Sequence, residues 1–335
     1  PPYPQIAHLK AGQSIIFSNY LHAISLDEFK TTVATYVEDN PDKDILIIVN
    51  TKRAARELFK YICDEIKVNR KELYFLTTLI TPFERKEIIR RIKRSSDKQK
   101  VIVSTQLVEA GVDISVDTVF RQISPLDSII QSAGRANRYS EKTDVAKVYI
   151  YDIAELKKVS NFVYGPDLLI KTENVLKDFR VVEEKDYINI IERYFVEVRK
   201  QSDNTSNKLL DAIENLEFTN VNLKIIEERN TESIYIQLNK KAKEIWEKYV
   251  EIYSKEDLKP WEREEEFSEI KSEFYDFVIN VPIPFNAEHI AFDSEKEYNF
   301  YVSRFDSTSR NYHYSENDFS LNTGYDDTNP IVSFI

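Results

Sequence analysis

Apolar and polar positions follow two different rhythms along this chain, and they change near residue 151. In the first part, short β-branched runs predict buried strands at Ser14–Phe17, Ile45–Val49, Leu73–Leu76, Val101–Val103, Thr118–Phe120 and Val145–Tyr151. Between them lie helical stretches. Leu26–Glu38 has Ser25 as N-cap, and Lys52–Ile66 carries an inner stripe of Ala54, Ala55, Leu58, Phe59 and Ile62. Thr81-Pro82-Phe83-Glu84 is a capping box with proline at the first helical position, and it opens a helix to Arg94. Ser124-Pro125-Leu126-Asp127 reads the same way and predicts a helix that continues through Arg138. Strands alternating with helices predict an α/β fold, a parallel sheet with helices on both faces.

Beyond Tyr151 the pattern becomes helical and acidic. Helices are predicted at Leu168–Lys177 and Lys185–Arg199, with a break at Ser202–Asn207. Val221–Ile226 and Ser233–Leu238 read as strands, Lys240–Tyr253 and Trp261–Phe277 as helices, and the last sixty residues as short strands joined by turns. These shifts divide the chain into a sheet domain at 1–152, a mostly helical linker at 153–230 and a C-terminal α+β domain at 231–335.

Composition narrows the class. Of 335 residues, 42% are apolar and 31% charged, which describes a globular chain with ample core. The single cysteine, Cys63, lies in a helical pattern and excludes a disulfide framework, so a reducing compartment is expected. No apolar run reaches membrane-spanning length and PPYPQ has no signal pattern, so a cytoplasmic protein without membrane partners is expected. Methionine is absent even from position 1, and we read the chain as part of a longer polypeptide. The net charge of −11 is uneven: residues 1–150 hold 23 Lys and Arg against 19 Asp and Glu, whereas 151–335 hold 23 against 38. Phosphate contacts are therefore expected in the first part.

The densest chemistry lies in Val101–Arg138. Ser104 and Thr105 stand at a strand's carboxyl end, where open α/β sheets place ligands. Glu109, Gly111, Asp113 and Asp117 follow in the loop. Gln131, Arg135 and Arg138 would share one face of a continuous helix, and two forked guanidiniums there suit a polyphosphate. Gly134 in mid-helix suggests a close backbone approach. Plainer readings exist for other positions. Thr51 and Thr81 serve as N-caps without any ligand, the Arg85–Arg94 run suits a solvated face, and Cys63, Trp246 and Trp261 suit packing.

TQLVEAGVD at 105–113 followed by QSAGRANR at 131–138 resembles motifs V and VI of superfamily 2 helicases. The wording SPLDSIIQSAGRANR at 124–138 resembles the CRISPR-associated helicase–nuclease of type I systems. The resemblance implies a second RecA-like lobe followed by the family's linker and C-terminal domain. It assigns Arg138 as arginine finger, with Arg135 beside it and Gln131 ordering the site. Glu109, Gly111 and Asp113 join these at the nucleotide. Asn50, Thr51 and Lys52 resemble motif IV, and with Thr81, Arg85 and Thr105 they are implied as contacts to a nucleic-acid backbone.

ATP is the implied cofactor, with Mg supplied through a first lobe. None of the five glycines, at 12, 111, 134, 165 and 324, begins the phosphate loop GxxxxGK[S/T], and no acidic Asp-Glu-x-His follows. Nor do the four histidines form the His-Asp pair of the family's nuclease, so no metal ligand is assigned and this chain alone is not expected to hydrolyse ATP. The implied partners are single-stranded DNA, the first lobe and nuclease domain in cis or trans, and an RNA-guided surveillance complex. The alternatives are the second lobe of another superfamily 2 DNA or RNA helicase, and a non-catalytic docking module derived from one.

Overall fold

A computed structural model of the protein describes residues 13–16, 23–66, 71–139, 146–179, 181–217, 231–282, 297–303, 312–313 and 323–325; for 13–16, 201–209 and 313 only the backbone is described. The described residues form two compact units. One is drawn from Pro1–Lys71 and Lys98–Glu228, the other from Glu72–Asp97 and Arg229–Ile335.

The first unit is built on β1 (Gln13–Ile16), β2 (Ile45–Ile48), β4 (Gln99–Ser104), β5 (Thr118–Gln122), β6 (Ala146–Tyr151) and β7 (Val181–Glu183). They lie in the order β4-β2-β5-β6-β1-β7. Neighbours pair in parallel, with Ile45 opposite both Val101 and Thr118, and only β7 runs antiparallel, against β1. Every residue of β2, β4 and β5 is buried, as parallel strands covered on both faces require. The helices are α1 (Leu26–Asp39), α2 (Lys52–Glu65), α4 (Leu126–Ala133), α5 (Lys157–Tyr164), α6 (Pro166–Leu176) and α7 (Tyr187–Glu214). Ser25 and Thr51 cap α1 and α2 through their side chains, accepting from the N–H of Glu28 and Ala54.

The second unit holds β3 (Lys71–Leu76, all but its first residue) and α3 (Pro82–Lys93). It continues with β8 (Thr231–Ile236), α8 (Lys240–Ser254), α9 (Pro260–Tyr275), β9 (Val278–Pro282), β10 (Tyr301–Ser303), and the ribbon β11 (Tyr312–His313) with β12 (Gly324–Tyr325). β8 pairs with β10 in parallel and with β9 antiparallel. Its core is aromatic: Tyr235, Trp246, Tyr249, Phe267, Phe274 and Phe277 pack with Leu79 and Tyr325. Gly324, at φ +66°, lies so close to Leu79 that an added Cβ would sit 2.3 Å from the Leu79 carbonyl oxygen.

Several expectations are corrected here. The helix opened by Pro125 stops at Ala133, eight residues long, with Pro125 rather than Ser124 at the N-cap. Ser124 is fully buried and makes no cap hydrogen bond. Gly134 is the C-cap, and an added Cβ there would meet only ordinary contacts with the carbonyls of Gln131 and Ile130 at 3.4 and 3.6 Å, so no close approach explains it. The backbone leaves the helix because residues 135–137 find a partner elsewhere. The Val116 N–H donates to Arg135 O (3.0 Å) and the Asn137 N–H to Val116 O (2.8 Å), with Asn137 at φ 48°. Helix α7 runs through the expected break at Ser202–Asn207, and α5 and β7 were not expected at all. Val221–Ile226 and Phe17 lie outside the described residues.

Candidate functional site

The chemistry of the first unit gathers where β4, β2 and β5 end. After Ser104 the chain passes Thr105, buried and extended, into a short 3-10 turn, Gln106–Val108. Gly111 follows at φ +74°, a conformation that favours glycine. This turn leads to Asp113, whose carboxylate is half exposed. Arg138 Nε lies 3.0 Å from Asp113 Oδ1, with 39% of the Arg138 side chain exposed, and the Tyr139 hydroxyl donates to the same oxygen at 2.6 Å. The Arg138 N–H donates to Ser115 Oγ. Asp113 and Arg138 thus form an ion pair on an open rim.

Arg135 does not lie beside Arg138 on a helix face. It is 5% exposed and its Nη2 donates to the Glu109 carbonyl at 2.5 Å. Burial, with the positive charge of Arg138 nearby, draws its pKa below the usual guanidinium value. Gln131 is exposed on α4, outside the turn that carries the two arginines. The expected row of Gln131, Arg135 and Arg138 is therefore corrected: one side chain is buried, one lines the rim, and one points to solvent from the helix.

Beneath the rim lies a buried polar network that motif reading missed. Arg121, inside β5 and fully buried, donates through Nη1 to Asn50 Oδ1 (2.5 Å) and Gln122 O (3.0 Å). Through Nη2 it donates to Glu109 Oε1 (2.8 Å) and the Tyr164 hydroxyl (2.9 Å). Ser132 Oγ also reaches Glu109 Oε1, at 3.4 Å. Asn50 is 3% exposed, and its amide is spent inside: its N–H donates to Gln122 Oε1, and its side chain to Ile123 O and Ser160 Oγ. Asn50 thus has its N–H and side-chain amide engaged inside the protein, while Thr51 and Lys52 stay partly exposed at the start of α2. The signal available in the sequence was Arg121 itself, a charge inside the apolar strand Thr118–Gln122.

Thr81 and Arg85 belong to the second unit. Thr81 is fully buried; its N–H donates to the Tyr312 hydroxyl at 2.9 Å and its Oγ1 to Glu84 Oε2 at 3.1 Å, so it presents no hydroxyl to solvent. The Tyr312 hydroxyl also donates to Glu84. Burial pushes the Glu84 carboxyl up to about 7, against the pull of those hydroxyl bonds. Arg85 is half-buried, and desolvation lowers its pKa. Among the described residues no cluster of three His, Cys, Asp or Glu could hold a metal, and no helix is long and apolar enough to cross a membrane.

A parallel sheet whose strand ends carry the Thr105–Asp113 loop and the Gln131–Arg138 turn defines a RecA-like lobe. The sequence model of the CRISPR-associated nuclease/helicase Cas3 C-terminal family matches residues 41–141. Cas3 from Methanothermobacter thermautotrophicus is 26% identical over 175 residues, 51% of this chain and 20% of that protein. Cas3 from Haloferax volcanii is 40% identical over 83 residues, 24% of this chain and 9% of that protein. The crystal structure of T. fusca Cas3-ATP superposes with a TM-score of 0.60 at 11% identity, over 90% of this chain and 40% of that one. A CRISPR RNA-guided surveillance complex, pre-nicking, contains a chain that superposes with a TM-score of 0.56 at 13% identity, over 85% of this chain and 39% of that one. Residues 41–141 are thus similar to the C-terminal region of Cas3 nuclease/helicases, and the fold is that of the RecA-like lobe in the Cas3 structures. Its matched segment spans about a fifth of the length of the first of these relatives.

Proposed function

We propose that this chain is the strand-gripping second lobe of an ATP-dependent single-stranded DNA translocase in a type I CRISPR defence system. Its partners in that role are a first RecA-like lobe, a nuclease domain and an RNA-guided surveillance complex. The observation that carries the reading is the Arg138–Asp113 pair, an exposed guanidinium on a rim held from below by buried groups. A guanidinium so held suits the γ-phosphate of ATP, whose hydrolysis supplies the driving force; ATP and Mg would be bound chiefly by the first lobe. Arg138 is the finger, and Asp113 orients it. Arg135 acts indirectly, by holding the Glu109 carbonyl, and Gln131 is an exposed donor on the neighbouring helix. Thr51, Lys52, Thr105 and Arg85 are the remaining backbone-contact residues, since Asn50 and Thr81 are occupied inside the protein. Contacts of this kind hold a strand without reading its bases.

The test is hydrolysis by the complete polypeptide with single-stranded DNA and magnesium. Arg138→Ala should lower turnover by about 10³–10⁵-fold, the range for an arginine finger, with nucleotide binding retained. Turnover near the wild-type value would exclude the assignment. The present chain alone should show negligible ATPase, and substantial magnesium-dependent turnover by it would contradict the division of labour between lobes.

A further inference from the structure

The buried network under the rim joins residues far apart in sequence. Arg121 touches four segments: the end of β2 through Asn50, its own strand through Gln122 O, the loop after β4 through Glu109, and the last turn of α5 through Tyr164. Helix α5 contributes a second group one turn earlier. Ser160 is fully buried and its Oγ accepts from Asn50 Nδ2 (2.9 Å) and Gln122 Nε2 (2.8 Å). Ser160 and Tyr164 are four residues apart and so share one helix face.

A buried guanidinium is poor value for stability alone, because an apolar residue would pack in β5 without desolvating a charge. What the charge adds is direction. Its planar fork engages four acceptors at once, one more than a lysine's three donors can serve. Glu109 is then held by its carboxylate while its carbonyl accepts from Arg135, so its placement carries over to the turn ending at Arg138. We infer that Arg121, acting through Glu109, is a positioning residue for the Asp113–Arg138 rim, and that Tyr164 makes helix α5 a working part of the same site. The inference rests on the reading of that rim as the motor's nucleotide edge.

The experiment compares Tyr164→Phe, Arg121→Lys, Arg121→Met and Arg138→Ala with wild type in the complete polypeptide, measuring kcat, KM for ATP and Tm. Tyr164→Phe removes one hydroxyl; it should lower Tm by only a few degrees and lower kcat by roughly tenfold at constant KM, the scale of a lost hydrogen bond to a charged group. Arg121→Met should lower kcat by on the order of 10²-fold, as expected for displacement of a catalytic group, and Arg121→Lys should not rescue it. Pairing Arg121→Met with Glu109→Leu should restore Tm but not kcat. Wild-type kcat in Tyr164→Phe while Arg138→Ala is inactive would overturn the inference and leave the rim reading standing. Recovery of kcat together with Tm in the double variant would reduce the network to a structural one and overturn it equally. Hydrolysis surviving in Arg138→Ala would remove the rim reading and the inference with it. Should Arg121→Met fail to fold, Tyr164→Phe alone decides.

Discussion

Two buried glutamates, one in each unit, solve the same problem in opposite ways. Glu109, 8% exposed, faces the guanidinium of Arg121 inside a sheet of Val, Ile and Phe. Glu84, 1% exposed, accepts from the hydroxyls of Thr81 and Tyr312 in a unit whose core is aromatic. A carboxylate without a countercharge loses more by leaving water than hydroxyl donors return, and Glu84 responds by holding its proton up to about pH 7. The first unit keeps a charge and compensates it, which fixes direction. The second suppresses the charge, which preserves packing but makes it sensitive to pH.

The largest expected effect breaks the compensated pair. Arg121→Met leaves Glu109 buried without its cation and should destabilise the first unit by about 3–5 kcal/mol, measured by denaturant unfolding. Adding Glu109→Leu should return most of that stability, because neither charge then needs a partner. If the double variant were as unstable as the single one, the cost would lie in packing and the contrast between the glutamates would lose its basis.

Next comes the pH dependence of the second unit. Glu84 titrates near 4.5 when unfolded and at about 7 when folded. The folded state binds the proton more tightly, so the contribution is complete below pH 4.5, falls as pH rises between 4.5 and about 7, and is lost above. That interval corresponds to about 3 kcal/mol. Unfolding followed through Trp246, buried in the aromatic core, should show the slope in wild type and lose it in Glu84→Gln. An equal slope in both proteins would mean that other groups carry it. The smallest effect sharpens the comparison on the side of local structure: Thr51→Ala removes one N-cap and should cost about 1 kcal/mol with no change in pH slope. Equal stability to wild type would show that the cap bond contributes nothing.

These same residues mark what is legible without coordinates. Ser25, Thr51 and Thr81 cap the helices they were expected to cap, because a cap bond spans only two or three residues. The helix beginning at Leu126 was over-extended because Gln131, Arg135 and Arg138 fit a helical period, whereas Val116, some twenty residues earlier in the chain, captures the backbone after Ala133. The period was local information; its competitor was not. Thr81 shows the same limit: its hydroxyl bonds locally to Glu84, but its N–H donates to the Tyr312 hydroxyl from 231 residues along the chain.

Short-range chemistry in the chain therefore determined the alternation of buried strands and capped helices, and it marked Thr105–Asp113 and Gln131–Arg138 as the segments to watch. Only the tertiary structure decided which arginine stands on the rim, which is buried beneath it, and that Arg121 belongs with them at all. Its partners Glu109, Tyr164 and Asn50 lie 12, 43 and 71 residues away. A guanidinium buried in a strand can be seen in a sequence as an anomaly, but its compensating groups are brought together only by the folding of the sheet.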